Sequence, residues 1–292
     1  MAAPVSVVTG SNSGIGRATA LYLAGQGHEV WGTVRNLDSA AKLRQMASEA
    51  GVEINLAVVD VADDASVKAG FASILDAAGR VDNLVNNAGI GGNAVTEEAS
   101  IELYHEVMNI NLYGAIRCTQ AVLPQMRERR SGCIVNISSL VGRVAHIAQS
   151  PYYVSKWAME AMSEGLAQEV APFGLRVAII EPGVTKSAIF AKNIDAPNQT
   201  GQYDAAYARM FQFYKAGIPQ ATPPEEVGAV VHHAITTDEP KLRYACSWAG
   251  DELVGGRARM TDEDWVALGG LDDAAYYARF HELLGVDITP AS

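Results

Sequence analysis

Val5-Ser6-Val7-Val8-Thr9-Gly10-Ser11-Asn12-Ser13-Gly14-Ile15-Gly16 joins a short β-branched run to an alanine-rich stretch with helical spacing through a glycine-rich turn. Glycines let the chain turn tightly and bring its backbone close to a pyrophosphate, while the free N–H groups at the start of a helix attract negative charge. A glycine cluster in isolation is an ordinary strand-to-helix turn. Placed after a strand and opening a helix, it predicts a dinucleotide site built from Gly10, Ser11, Asn12, Ser13, Gly14, Ile15 and Gly16.

Outward from that turn the same alternation repeats. Strand-like runs recur at Val5-Thr9, His28-Val34, Ile54-Asp60, Asp82-Asn86, Cys133-Ser138, Leu175-Glu181 and Leu242-Trp248. Helical spacing fills the intervals at Gly14-Ala24, Ser39-Glu49, Ala65-Ala77, Glu102-Arg130, Pro151-Val170 and Pro223-Thr236. Such alternation predicts right-handed βαβ crossovers: an α/β fold with a doubly wound, parallel, seven-stranded sheet between two helical layers. No repeat or Gly/Pro/Ser-rich linker divides the chain, so residues 1–292 are expected to form one domain. Residues 186–222 interrupt the pattern and carry Phe190, Tyr203, Tyr207, Met210, Phe211, Phe213 and Tyr214, which suggests a substrate-binding lid or a surface helical hairpin. Residues 261–292 are read as a helical extension.

Composition narrows the function classes. Hydrophobic residues are 49% of the chain and charged residues 19%, enough apolar material for a packed core. A formal net charge of -11 argues against nucleic-acid binding, which needs clustered cations. Three scattered cysteines suit a reducing compartment and fit neither a disulfide framework nor a close-spaced zinc site. Adjacent His232 and His233 diverge around a helix, so no metal is expected. With no apolar run near the ~18 residues of a membrane span, and no secretory signal read, a soluble cytoplasmic protein is expected.

Tyr152 and Lys156 stand four residues apart and therefore share one face of a helix. A phenol titrates near ~10, and a proton-transferring group works best near the operating pH. One unit charge about 4 Å away at an effective dielectric of ~20 contributes about 4 kcal/mol, or about three pKa units. Lys156 alone is thus expected to make Tyr152 usable near neutrality, before desolvation subtracts from the gain. Tyr153 points about 100° away around the helix. Near the end of the second strand Val34 is no carboxylate, while Arg35 follows it; a cation there accommodates a ribose 2'-phosphate, so NADP(H) is expected, with NAD(H) possible.

The glycine spacing differs from G-x-G-x-x-G and resembles that of the short-chain dehydrogenases/reductases. The likeness continues at Asn87-Ala88-Gly89, Ser139, Tyr152-x-x-x-Lys156 and Pro182-Gly183, and spans Val5 to Trp248. It implies a Rossmann fold and an oxidoreductase moving hydride between a nicotinamide cofactor and a carbonyl or alcohol. It also implies a tetrad in which Tyr152 is the acid/base, Lys156 additionally binds the nicotinamide ribose, and Ser139 orients the substrate oxygen with Ser138 as its structural neighbour. Asn111, rather than Asn109, would hold a water against the lysine. By the same resemblance Asp60 and Val61 contact adenine, unless Asp60 only caps a helix. Asn87, Ala88 and Gly89 belong to the cofactor site, and Pro182, Gly183, Val184 and Thr185 hold the carboxamide, unless Thr185 is only a cap. Family members associate as homodimers or homotetramers, here through Glu102-Arg130 and Pro151-Val170.

A further likeness, in Thr33-Val34-Arg35-Asn36-Leu37 and Leu242-Arg243-Tyr244, is to the branch of 17β-hydroxysteroid dehydrogenase type 1 and retinol dehydrogenases. Together with the aromatic segment it suggests an apolar, steroid-like or retinoid-like small molecule, with Arg143 and His146 either lining its pocket or facing solvent. The rival readings are a non-catalytic NADP sensor, opposed by the complete tetrad, and a nucleotide-sugar epimerase or dehydratase, opposed by the glycine spacing and the lack of a larger C-terminal substrate domain.

Overall fold

Alternation of side chains along the strands decides which residues enter which layer. Val7, Leu84, Ile134 and Val177 pack with one set of helices, whereas their neighbours Val8, Val85, Val135 and Ala178 pack on the opposite face. Buried on both faces, these strands are apolar almost throughout, as a parallel sheet requires. The computed structural model describes residues 2–187 and 196–290, so Phe190 of the expected lid lies outside the described residues.

The strands are β1 (Val5–Val8), β2 (Glu29–Val34), β3 (Asn55–Val58), β4 (Asn83–Asn86), β5 (Cys133–Ile137), β6 (Arg176–Pro182) and β7 (Arg243–Cys246). They form one seven-stranded parallel sheet in the order β3-β2-β1-β4-β5-β6-β7. Winding reverses between β1 and β4, and a crevice opens beyond the carboxyl ends of the strands at such a point. On one face lie α1 (Gly14–Gly25) and α2 (Ala41–Ala50); on the other lies α3 (Asp64–Ala78). Asp63 starts α3 by accepting from the Ser66 N–H at 2.6 Å, and Gly51 ends α2 in the left-handed region at φ 67.

The expected single helix Glu102-Arg130 is divided. Helix α4 (Ile101–Met108) runs into a π turn at Asn109–Tyr113 before α5 (Gly114–Arg129). The Gly114 N–H reaches back five residues to Asn109 O, which inserts one residue into the helical ladder. That insertion aims Asn111 at the loop after β4.

Helix α6 (Ser150–Val170) follows β5 and carries Tyr152 and Lys156. Beyond β6 come α7 (Asp204–Gly217), α8 (Pro224–Thr236), α9 (Gly250–Arg259), α10 (Asp262–Leu268) and α11 (Asp273–Leu284). Tyr276, Tyr277, Phe280 and Leu284 of α11 bury with Phe213, Leu253 and Val141, so the last helices close over the edge of the sheet nearest α7. Burying side chains of this size contributes roughly 1.5–3 kcal/mol each.

Candidate active site

A cleft of about 520 Å³ lies beyond the carboxyl ends of the strands. At one end it is walled by the glycine turn. Gly10 sits at φ 68, and a Cβ there would meet Ala88 Cα at 3.0 Å; a Cβ on Gly16 would stand 2.3 Å from Asn87 Nδ2 and 2.5 Å from Gly10 O. Only glycine fits this close approach of the turn to the segment after β4. Thr9 braces the two: its Oγ1 accepts from the Asn87 and Ala88 N–H groups at 2.9 and 3.0 Å, and its carbonyl accepts from Asn87 Nδ2 at 2.8 Å. Ser13, the residue before α1, makes no side-chain cap, and the first turn of α1 holds no acidic residue. The N–H groups there are available to an anion.

Gly10, Asn12, Ser13, Gly14, Ile15, Arg35, Asp60, Val61, Asn87, Ala88 and Gly89 all line this end of the cleft. Arg35 is exposed, and no hydrogen bond or ion pair involves its side chain among the described residues. Asp60 does not cap α3, a role Asp63 fills; its Oδ1 accepts from the Ala62 N–H at 3.0 Å. Two expected cofactor residues do not reach the cleft. Ser11 is buried behind the turn, its Oγ donating to Val8 O at 2.7 Å, and Gly16 packs against Asn87. They shape the wall from behind.

At the other end Ser139, Tyr152 and Lys156 converge with Pro182, Gly183, Val184 and Thr185. Tyr152 lies beside Ser139, which works to lower its pKa. Lys156 Nζ donates to Ile137 O at 2.8 Å and lies 5.6 Å from the Tyr152 ring centre. Tyr153 does not line the cleft, in keeping with its helical register. Thr185 is buried and its Oγ1 donates to Ser247 Oγ at 3.0 Å, while the Val184 and Lys186 N–H groups pair with Trp248 O and Thr222 O at 3.0 and 2.9 Å.

Asn111 is wholly buried: Oδ1 accepts from the Ile90 N–H at 2.8 Å, and Nδ2 donates to Ile90 O at 2.9 Å and Ser155 Oγ at 3.0 Å. Its amide is committed to the backbone after β4 and to the turn of α6 that carries the tyrosine. One expectation about the tetrad changes: the Tyr152 phenol does not stand near neutrality. Burial pushes it up to about 12, against the opposing effect of Ser139, and burial pulls Lys156 down to about 8. Desolvation, which spacing alone does not show, dominates both groups.

The wall opposite Tyr152 holds residues that sequence reasoning passed over. Tyr214 donates to Asn93 Oδ1 at 3.2 Å and accepts from Gln149 Nε2, and all three line the cleft beside Leu103, Val141 and Phe213. Phe213 and Tyr214 come from α7, inside the aromatic segment; nothing in the pattern marks Asn93, and only nearness to Tyr152 marks Gln149. The segment that carries α7 is tied down by Glu98, which accepts from Thr200 N, Thr200 Oγ1 and Tyr207 Oη at 2.9, 2.7 and 2.8 Å. Burial would raise the Glu98 carboxyl, yet these hydrogen bonds hold it below the usual carboxylate range.

Arg143 and His146 neither line the cleft nor both face solvent. Arg143 Nη1 lies 3.3 Å from buried Glu181, and His146 is buried with its ring 4.7 Å from that of Phe213. Burial brings His146 down to about 4 from 6.5. A depressed histidine contributes stability that is present above pH ~6.5 and is lost as pH falls towards 4. Glu181, raised to about 7 chiefly by burial, works in the opposite sense over the same range. The wild type is therefore compared with His146→Leu: between pH 7 and pH 5 the wild-type unfolding free energy should fall by about 2 kcal/mol relative to the variant. Urea titrations with parallel slopes would show histidine burial to be irrelevant.

No group of three or more His, Cys, Asp or Glu that could hold a metal occurs among the described residues. His232 packs against Tyr22 and His28, and His233 against Tyr244, so the two do point apart. No helix among the described residues is long and apolar enough to cross a membrane.

Comparison with known proteins agrees with this geometry. A family model described as short chain dehydrogenase matches residues 4–198. A 3-ketodihydrosphingosine reductase of Bacteroides thetaiotaomicron is 34% identical over 242 residues, covering 82% of this chain and 86% of that one. The 17-beta-hydroxysteroid dehydrogenase type 1 of Mus musculus is 32% identical over 251 residues, covering 82% and 72%. The crystal structure of a variant actinorhodin polyketide ketoreductase with NADPH superposes with a TM-score of 0.69 at 30% identity, covering 80% and 90%.

Proposed function

The chain belongs to the short-chain dehydrogenase/reductase family, an oxidoreductase acting on CH–OH groups, and we propose that it is an NADP(H)-dependent reductase of a ketone or aldehyde on an apolar skeleton. The observation that carries this reading is one cleft in which the glycine turn, Arg35, Ser139, Tyr152 and Lys156 meet. A panel of carbonyl compounds, steroid-like and long-chain ketones among them, tests it with NADPH and NADH. A folded protein that consumes NADPH with none of them would overturn it.

The residues fit the cofactor. The glycine turn would take the pyrophosphate against the N–H groups of α1, Asp60 and Val61 would lie towards the adenine, and Pro182 to Thr185 would line the carboxamide end of the cleft. Lys156 would also meet the nicotinamide ribose. When bound, NADPH supplies the hydride that becomes the new C–H bond of the alcohol. Tyr152 gives its proton to the carbonyl oxygen, and Ser139 donates a hydrogen bond to that oxygen as charge develops. Lys156, charged below pH ~8, opposes the negative charge that the proton leaves on Tyr152. With burial pushing the phenol up to about 12, Tyr152 holds its proton at neutral pH.

NADP(H) preference rests on Arg35, which lines the cleft beside Asn36 and Ser39. A charge-assisted hydrogen bond contributes about 1.5–3 kcal/mol. Arg35→Ala should therefore raise the Kd for NADPH by about 10- to 100-fold and that for NADH by less than about threefold. Fluorescence titration measures both, and equal losses would remove the basis for the preference.

Leu103, Val141, Phe213 and Tyr214 support an apolar substrate, and the Asn93–Tyr214–Gln149 set gives it one polar contact besides the reacting oxygen. The names of two relatives, a reductase of 3-ketodihydrosphingosine and a 17-beta-hydroxysteroid dehydrogenase, suit ketones on long or fused hydrocarbon skeletons. Residues 186–222 would serve as the lid within a single domain. Exposed Ile101, Tyr113, Val154 and Trp157 on α4, the π turn and α6 support a homodimer or homotetramer through these helices. A cytoplasmic setting fits the three free cysteines. The meeting of Ser139, Tyr152 and Lys156 in one cleft opposes a non-catalytic sensor, and the glycine spacing opposes a nucleotide-sugar epimerase.

A further inference from the structure

Behind the wall that carries Lys156 lies a buried ionic cluster that the reaction as derived does not use. Glu160 stands one helical turn beyond Lys156 on the same face of α6 and is 4% exposed. Its Oε2 accepts from Arg243 Nε at 2.9 Å, and Arg243 Nη2 reaches Glu164 at 2.7 Å. Arg243 Nε also lies 3.6 Å from Glu181 Oε1, to which Arg143 is bound from the other side. The remaining oxygen, Glu160 Oε1, is buried with no hydrogen-bond partner, as is Ser138 Oγ. A Cβ on Gly142 would meet Ser138 Oγ at 2.6 Å and Glu160 Oε1 at 3.3 Å, so both oxygens occupy the same wall, next to the Ile137 carbonyl that Lys156 binds.

A buried carboxylate with one oxygen unsatisfied is costly, and an apolar residue would pack there without that penalty. Lys156 has the complementary difficulty: a buried ammonium that meets a phenol ring on α6 and one carbonyl on β5. We propose that Glu160 is a positioning residue of the proton machinery: paired with Arg243, it is the counter-charge that keeps Lys156 protonated beside Tyr152. The other charges around the pair are Glu181 on β6, Arg243 on β7, and Arg143 and Glu164 at the periphery. Burial pulls Lys156 down to about 8 and Glu160 is the charge that opposes the fall. Without Glu160 the lysine loses its proton within the physiological range.

This inference rests on the reading of Tyr152 and Lys156 as the proton machinery, and its test separates the two. The pH dependence of kcat/KM for carbonyl reduction is measured for Glu160→Gln and for Glu160→Met, an apolar replacement of similar length that leaves no buried amide unpaired. In either folded variant the alkaline limb, expected near pH 8 in the wild type, should move down by about one unit, a loss of roughly fivefold at pH 8. NADPH affinity at pH 6.5, read by fluorescence without turnover, should stay within about twofold. A limb that moves less than about 0.3 units in a folded variant would overturn the role of Glu160. Tyr152→Phe judges the underlying reading independently: turnover in that variant removes the proton machinery itself, whereas loss of turnover with an unmoved limb removes only Glu160.

Discussion

Tyr152→Phe is expected to bind NADPH within about threefold of the wild type and to lower kcat and kcat/KM together by about a thousandfold, within the range for removing a general acid. The substitution deletes one oxygen and leaves the ring, which packs against the buried cluster that holds Leu140, Val141 and Phe213. Cofactor contacts made by the glycine turn, Asp60 and the segment after β6 are untouched, so binding and chemistry should separate. An equal fall in kcat and kcat/KM marks an interaction made only as the proton moves, whereas a rise in KM alone would mark mere substrate contact. Tyr153→Phe is the matched control and should keep activity within about threefold, because that residue does not line the cleft. Stopped-flow reduction by NADPH measures both variants. Tyr152→Phe retaining more than about a tenth of wild-type turnover would sink the assignment.

The magnitude depends on a feature that spacing did not disclose. The i, i+4 relation of Tyr152 and Lys156 is legible, as is the exclusion of Tyr153, because both follow from helical geometry. The protonation balance is not, since it depends on burial supplied by distant segments such as Phe213 and Tyr214 of α7. The seven strands were legible from β-branched runs punctuated by helical spacing, and their observed bounds fall within the expected ones, or within one residue. The π turn at Asn109–Tyr113 was not legible, because one inserted residue hardly disturbs the apolar periodicity of a long helix. Ser11 and Gly16 were read as ligand contacts because a motif records which residues recur at a turn. Only coordinates separate those that face the ligand from those that face the neighbouring loop. Likewise Glu160, Glu181 and Arg243 stand far apart in sequence on α6, β6 and β7, and no local pattern announces that they meet.

Gly16→Ala should abolish detectable NADPH binding, raising Kd by at least about a hundredfold, and lower Tm by roughly 5 °C. Helix propensity argues the other way: alanine is favoured over glycine by about 1 kcal/mol inside a helix such as α1. Sterics decide the sign. The new Cβ would stand 2.5 Å from Gly10 O, a backbone atom of the turn, and 2.3 Å from Asn87 Nδ2. Neither neighbour can yield cheaply. Gly10 is fixed at φ 68 against Ala88, and Asn87 Nδ2 is spent on Thr9 O at 2.8 Å and Gly10 O at 3.4 Å. Displacing either one loosens the brace between the turn after β1 and the segment after β4, the two sides of the point where the sheet reverses its winding. Overpacking of this kind costs about 1–3 kcal/mol in stability, and an ångström of displacement carries the N–H groups of the turn out of register with a pyrophosphate. Gly25→Ala, at the far end of the same helix with nothing within 4 Å of its Cβ, isolates the propensity contribution and should leave both NADPH affinity and Tm at or above wild-type values. If the two variants behaved alike in titration and thermal melts, the close approach of the turn to Asn87 would not be what makes the phosphate site, and α1 would be holding its ligand by dipole alone.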